Sequence, residues 1–233
     1  LSDYFEPRMR GRIYGLMQMS GPIGFMLGTI LATTLGTAIG WRNVFIITGL
    51  IGIGTAALIF LTVREKPRGG AEPELQELQE TTLERYRIDW QVVRGLLKNR
   101  TLLLLTAQGF FGVFPWNVLT FWFFYYLESE RGYTPEQAMM TMLVAITALS
   151  VGYLLGGNLG DALFKRSQRG RIILAGIGVL AGAIFLYITM ILPVDRTGLF
   201  MVLMGFTGVS MSIASPNVMA TMHDITLPEV RST

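Results

Sequence analysis

An aspartate at the edge of a long uncharged run is the residue of this chain whose position most clearly suggests chemistry. Asp161 follows a run that ends at Leu159, and four basic residues come within the next ten positions. These are Lys165, Arg166, Arg169 and Arg171. A carboxylate so placed can form charge-assisted hydrogen bonds with nearby cations, or it can cap the positive N-terminus of another helix. The alternative is a plain boundary charge without a specific partner.

Enzymatic chemistry finds little support in the sequence. There is no cysteine, and His223 is the one histidine, so a histidine-based catalytic or metal cluster is hard to build. An intramembrane serine protease needs Gly-x-Ser-Gly, and the nearest run is Gly208-Val-Ser210-Met211. An intramembrane aspartyl protease needs Gly-x-Gly-Asp, but Asn158 stands at the first glycine. We therefore expect no enzyme, no metal and no cofactor.

The elements that must position these residues are six stretches without any charged side chain. They cover residues 13–35, 44–63, 101–127, 138–159, 172–192 and 199–222. Each has at least 20 residues, enough for a helix to cross a hydrocarbon core about 30 Å thick. In lipid, every backbone polar group must be paired internally, so each run should be helical. The sequence thus predicts an all-α membrane protein with six transmembrane helices.

The basic residues indicate how these helices are oriented. From the N-terminal flank onward, the segments between the runs hold 3, 1, 8, 1, 4, 1 and 1 Lys or Arg. Because cytoplasmic loops collect Lys and Arg, we expect both ends, residues 64–100 and the loop after Leu159 on the cytoplasmic side. We expect the plasma (cell inner) membrane as the location of the protein. The basic residues lie beside membrane spans, so we expect the lipid bilayer and no nucleic acid as partner.

Small residues four positions apart indicate close helix packing in two of the runs. The positions are Ser20, Gly24, Gly28 and Ala32 in the first run, and Ala148, Gly152, Gly156 and Gly160 in the fourth. Such residues let helix backbones approach in lipid. The pattern predicts two helices in close contact, with each other as one arrangement. The third run is the longest, and we expect a kink near Pro115 or a tilt.

The two ends of the chain carry a short repeat. Asp3-x-x-x-Pro7-x-x-Arg10 recurs as Asp224-x-x-x-Pro228-x-x-Arg231. Related halves are common in transporter folds. The chain starts without Met and both ends look like the approach to a span, so we interpret it as a fragment.

The motif around Asp161 resembles a known signature. Gly157-Asn-Leu-Gly160-Asp161-Ala-Leu-Phe-Lys165-Arg166, followed by Arg169-Gly-Arg171, resembles the cytoplasmic loop that occurs once per half in the major facilitator superfamily. Ala162 stands for its usual arginine and Phe164 for its middle glycine. Gly21-Pro22-x-Gly24-x-x-x-Gly28 is similar to the fifth helix of such transporters, which adds Gly21 and Pro22 to the packing residues. The stretch 66–72 is faintly similar to Spinster-type members.

The resemblance implies a partial fold with helices five to ten of twelve. Residues 1–63 would end the N-terminal half, 64–100 would be the interdomain loop, and 101–233 would begin the C-terminal half. Asp161 would latch the cytoplasmic side, with Arg231 or the next helix as partner. In the family, helices seven and ten line the cavity, which here offers Gln108, Trp116, Asn117, Thr120, Trp122, Ser212, Ser215 and Asn217.

The implied function is secondary active transport of a small solute by alternating access. An aromatic, weakly polar cavity wall suits an amphipathic or weakly polar substrate, and a coupling ion is left open. The alternative is an independent six-helix channel or an intramembrane enzyme, although no selectivity-type repeat is visible.

Overall fold

The computed structural model describes residues 4–63, 94 and 98–225, and every regular element among them is helical. After a short 3₁₀ turn at Pro7–Met9, the helices are α1 (Arg10–Ile39), α2 (Trp41–Thr62), α3 (Arg100–Asn117), α4 (Phe123–Ser129), α5 (Pro135–Phe164), α6 (Gly170–Met190) and α7 (Thr197–Ile225). The all-α expectation is confirmed. The predicted interdomain loop lies almost entirely outside the described residues.

Five of these helices are long and apolar enough to cross a membrane: α1, α2, α5, α6 and α7. The remaining predicted span, residues 101–127, is divided, because α3 passes through a π-helical segment, Val118–Trp122, into the short helix α4. Pro115 lies just before this segment and lacks the N–H that an α-helix needs, so the backbone hydrogen-bond pattern is interrupted there. The irregularity falls close to the position predicted for a kink.

The centre of the described structure is α7, which packs along both α5 and α6. Glycines allow this approach. A methyl group on Gly156 would lie 2.6 Å from the carbonyl oxygen of Ile213, and one on Gly178 would lie 2.8 Å from that of Ser210. At Gly152 the neighbours would be Ser212 Oγ and, at 2.5 Å, the Val209 carbonyl oxygen. Larger side chains at these positions would force the helices apart.

The small residues of the first run behave differently. A Cβ atom added at Gly21, Gly24 or Gly28 would have no neighbour within 4 Å among the described residues. The small residues of the fourth run face α7, and α1 meets α5 through other glycines at its start. Contact between the two sets of small residues is therefore absent among the described residues, and close packing by the set in the first run stays a prediction.

The loops at one end of the bundle are fixed by a buried arginine. Arg131, in the turn between α4 and α5, donates hydrogen bonds of 3.0–3.3 Å to the carbonyl oxygens of Leu192 and Pro193. Its guanidinium lies 4.1 Å from the centre of the Phe200 ring. These contacts join the turn before α5 to the turn before α7.

Candidate functional site

Four helix ends meet at the opposite end of the bundle, which we call the basic end. They are the start of α1, the end of α5, the start of α6 and the end of α7. The side chains that join them are those of Arg10, Asp161, Arg171 and Asp224. We call these four residues the ionic network.

Asp161 caps the start of α1. Its Oδ1 accepts a hydrogen bond of 3.0 Å from the backbone N–H of Gly11, and its Oδ2 accepts one of 2.7 Å from that of Arg12. The first N–H groups of a helix have no partner within the helix, and the helix dipole favours a negative charge there. Asp161 is only 7% exposed, so its charge needs these partners.

Arg171 joins Asp161 to the rest of the network. Its Nη2 donates to Asp161 Oδ1 at 2.5 Å and to the Pro7 carbonyl oxygen at 2.6 Å, and its Nη1 donates to Asp224 Oδ2 at 2.6 Å. The other oxygen of Asp224 accepts a 2.8 Å hydrogen bond from Arg10. Two cations thus face two carboxylates with no excess charge, and all four carboxylate oxygens are bonded. A buried ionic cluster is tolerable only under such conditions.

Two further contacts connect α1 with α7 above the network. The Tyr14 ring stacks on the His223 ring, with centroids 5.1 Å apart. Farther along, Ser215 donates a short hydrogen bond from its Oγ to Gln18 Oε1. Arg10, Tyr14 and Gln18 are four residues apart and so share one face of α1. That face is the seam between α1 and α7.

A neighbouring face of α1 touches α5 through glycines. A methyl group on Gly15 would lie 2.5 Å from the Tyr153 carbonyl oxygen, and one on Gly157 would press on the Gly11 backbone. The missing side chains let the two backbones meet, which brings the start of α1 within reach of Asp161.

The predicted latch residues separate into two groups. Asp161 and Arg171 belong to the ionic network, Gly157 contacts α1, and Gly160 makes room for Asn217. Lys165, Arg166 and Arg169 are exposed, and their side chains pair with none of the described residues. The partner of Asp161 is Arg171 together with the start of α1, whereas Arg231, the partner named from the sequence, lies outside the described residues.

The predicted cavity residues also separate. Asn217 is fully buried and donates to the carbonyl oxygens of Gly156 and Ile213, and Ser212 donates to its own helix backbone. In this conformation Asn217 joins α7 to α5, Ser212 bonds within α7, and both side chains are buried. Ser215 instead points across the seam to Gln18.

In the third predicted span, Asn117 and Trp122 line an open groove of about 500 Å³ with Phe114, Val118 and Phe121. Gln108 is exposed, and the Asn117 amide donates to the Val113 carbonyl oxygen of its own helix. Trp116 and Thr120 lie in the same stretch of backbone, at the end of α3 and in the π-helical segment.

Sequence reasoning did not name Arg10, Tyr14, Gln18, His223 or Asp224 as site residues. A signal for two of them exists, since Arg10 and Asp224 both belong to the repeat at the chain ends, and in the structure they pair with each other. The remaining charged positions of the repeat, Asp3 and Arg231, lie outside the described residues. Gln18 is the single amide side chain in residues 13–35, and a polar side chain within a span must face protein or water, so this signal could have found it. Nothing in the local sequence distinguishes Tyr14.

Comparison with known proteins identifies the family. Curated relatives include the hexuronate transporter of Bacillus subtilis (strain 168), 26% identical over 196 residues, which are 79% of this chain and 43% of the relative. The probable sulfoacetate transporter SauU of Cupriavidus necator is 28% identical over 80% of this chain and 44% of its own length. Protein spinster homolog 1 of Homo sapiens is 26% identical over 82% of this chain and 38% of its own length.

The chain therefore spans less than half the length of each of these relatives. No solved structure matches it at comparable significance. The family model described as Major Facilitator Superfamily matches residues 1–233, which is the entire chain. With its long apolar helices, this multi-pass membrane chain belongs to the Major Facilitator Superfamily.

Proposed function

We propose that the chain is part of a secondary active transporter that moves a small solute by alternating access. In this proposal α1 and α2 are the last helices of the N-terminal half, and α3 to α7 are the first helices of the C-terminal half. The protein lies in the plasma membrane, with its basic end facing the cytoplasm. The named transport activities of the relatives favour this proposal over a channel or an intramembrane enzyme.

One observation carries the proposal: the ion pairs, hydrogen bonds and ring contact that join α1 to the other half lie at the basic end. The contacts run from Arg10 to Gln18. Beyond them, atoms added to Gly21, Gly24, Gly28 or Gly36 would meet none of the described residues within 4 Å. Halves that meet at one end and part toward the other have the geometry of an outward-open state.

The ionic network would then be the cytoplasmic gate. Its members come from both halves, because Arg10 and the start of α1 lie on one side and Asp161, Arg171 and Asp224 on the other. Each hydrogen bond to a charged group contributes about 1.5–3 kcal/mol relative to the hydrated groups of the open gate. A cluster without net charge, whose four carboxylate oxygens are all bonded, can therefore be closed firmly and still be opened reversibly.

We propose a small amphipathic or weakly polar solute as substrate. The groove beside Asn117 and Trp122 supports this, since its lining is aromatic and aliphatic apart from one amide. Relatives named for hexuronate and sulfoacetate make small organic anions the second candidate. Uptake assays with both solute classes, with and without proton or sodium gradients, test the substrate class and the coupling ion.

Cross-linking tests the gate itself, because the chain has no cysteine of its own. Tyr14→Cys with His223→Cys spans the seam between the halves, where the two rings are 5.1 Å apart. Phe185→Cys with Phe206→Cys is a matched control within the C-terminal half, where the rings are 5.5 Å apart. A short bifunctional thiol reagent, applied to the full-length protein, should block transport by the first pair and spare it in the second.

Cleaving the cross-link should restore transport. Equal transport by both cross-linked pairs would contradict alternating access at this seam, since a fixed contact between Tyr14 and His223 would then be compatible with the complete cycle.

A further inference from the structure

Five basic side chains surround the ionic network without taking part in it. They are Arg8, Arg12, Lys165, Arg166 and Arg169. All five are exposed, and none of their side chains forms an ion pair or hydrogen bond with another residue in the part of the chain that the structure describes. We call these five residues the basic patch.

The contacts of the network make the basic patch continuous. The hydrogen bond from Arg171 to the Pro7 carbonyl oxygen brings Arg8 beside the start of α6, which Arg169 precedes. The bond from the Arg12 backbone to Asp161 places Arg12 at the end of α5, just before Lys165. The patch therefore crosses the junction between α1 and the other helices.

The surrounding carboxylates do not neutralise this patch. Asp161 and Asp224 are occupied by Arg10, Arg171 and the start of α1. Glu6 is then the one exposed carboxylate at this end among the described residues. The tendency of cytoplasmic loops to be basic accounts for the sign of the charge. It does not account for five cations gathered from two separate segments around a neutral cluster.

The depth of the patch in the membrane indicates what could neutralise it. Arg12 directly precedes an uncharged run, and Lys165 and Arg166 follow the last turn of the membrane-crossing helix α5. Residues that directly flank membrane-crossing segments in this way are expected at the level of lipid headgroups. A Lys or Arg near an anionic bilayer surface increases association about fivefold. We propose that the basic patch binds the phosphate headgroups of anionic phospholipids across the junction of the two halves.

Lipid binding can be measured without transport, so this proposal and the gating role of the network can fail separately. The full-length protein would be incorporated into nanodiscs of phosphatidylcholine with spin-labelled phosphatidylglycerol or spin-labelled phosphatidylcholine. The preference for phosphatidylglycerol should fall severalfold in Arg12→Gln with Arg166→Gln, which removes one cation from each side of the junction. Arg42→Gln with Arg196→Gln removes two exposed cations at the other end of the bundle and should leave the preference unchanged.

An equal preference in the wild type and the patch variant would overturn the proposal. A patch covered by the glutamate-rich stretch 72–84 of the same chain would give that result. A fall of equal size in the control variant would also overturn it, because the effect would then depend on total charge and not on the patch.

Discussion

Replacing Asp161 by asparagine separates the charge of the network from its shape. The carboxylate accepts three hydrogen bonds, from the Gly11 and Arg12 backbones and from Arg171. Asparagine has nearly the same size but offers one oxygen, and its NH₂ group would face another donor. At least one backbone hydrogen bond is lost, and the contact with Arg171 no longer joins two opposite charges.

The loss can be estimated from these contacts. A hydrogen bond to a charged group contributes about 1.5–3 kcal/mol, so the closed gate should lose about 3 kcal/mol. In the open gate Asp161 would be hydrated, and the substitution should cost little there. The equilibrium should therefore shift toward the inward-open state by about 100-fold.

Thiol labelling measures this shift. A cysteine at Met222, half-buried in α7 near the network, should react faster from the cytoplasmic side in Asp161→Asn than in the wild type. Asp195→Asn is the control, because Asp195 is highly exposed and its nearest cation, Arg196, is 3.8 Å away. Unchanged labelling at Met222 in a well-expressed protein would refute the gating role. Failure to accumulate would instead mark Asp161 as a folding residue.

Three more predictions test the seam, the packing and the orientation. Gln18→Leu should keep the protein folded but raise labelling from the cytoplasmic side, since Ser215 loses its partner across the seam; an unchanged rate would show that this hydrogen bond does not hold the gate. Gly152→Leu should lower the thermal stability of the purified protein by several degrees, because its neighbours in α7 include backbone atoms of Val209, which cannot move aside. Gly24→Leu should not lower it, and equal effects would contradict the packing seen here. Membrane-impermeant reagent outside the cell should label a cysteine at Ser129 and not one at Glu77, and the reverse pattern would invert the proposed orientation.

The sequence predicts the parts of this fold that depend on composition. Long uncharged runs predict the helices, and the glycines of α5 predict that another helix packs closely against it. They do not say which helix that neighbour is, because a glycine offers space to any backbone. Thus Gly152 packs on α7 rather than on α1. The interruption of the third span depends on Pro115, whose effect on hydrogen bonding is local and therefore readable.

The candidate site is only half readable for a related reason. Asp161 and Arg171 lie within one motif, ten residues apart, so a nearby basic partner is expected, but the sequence does not distinguish Arg171 from the other three cations of the motif. Arg10 and Asp224 are 214 residues apart, and only the packing of α1 against α7 brings them together. Gln18 and Ser215 form a pair for the same reason. Long-range pairs of this kind leave no local pattern in a single sequence.

The altered motif around Asp161 is consistent with a working latch, because the main partners of this carboxylate are not the residues that the motif lost. Two of its three hydrogen bonds come from the backbone of α1, which any residue can supply. The third comes from Arg171, and the Arg171 guanidinium lies 4.0 Å from the centre of the Phe164 ring. Phe164 stands where the family pattern has glycine, so the departure adds a cation–π contact to the arginine that holds the carboxylate. Phe164→Gly, which restores the family pattern, should therefore weaken the latch and raise thiol labelling of a cysteine at Met222. Unchanged labelling in this variant would show that the aromatic contact does not support the latch.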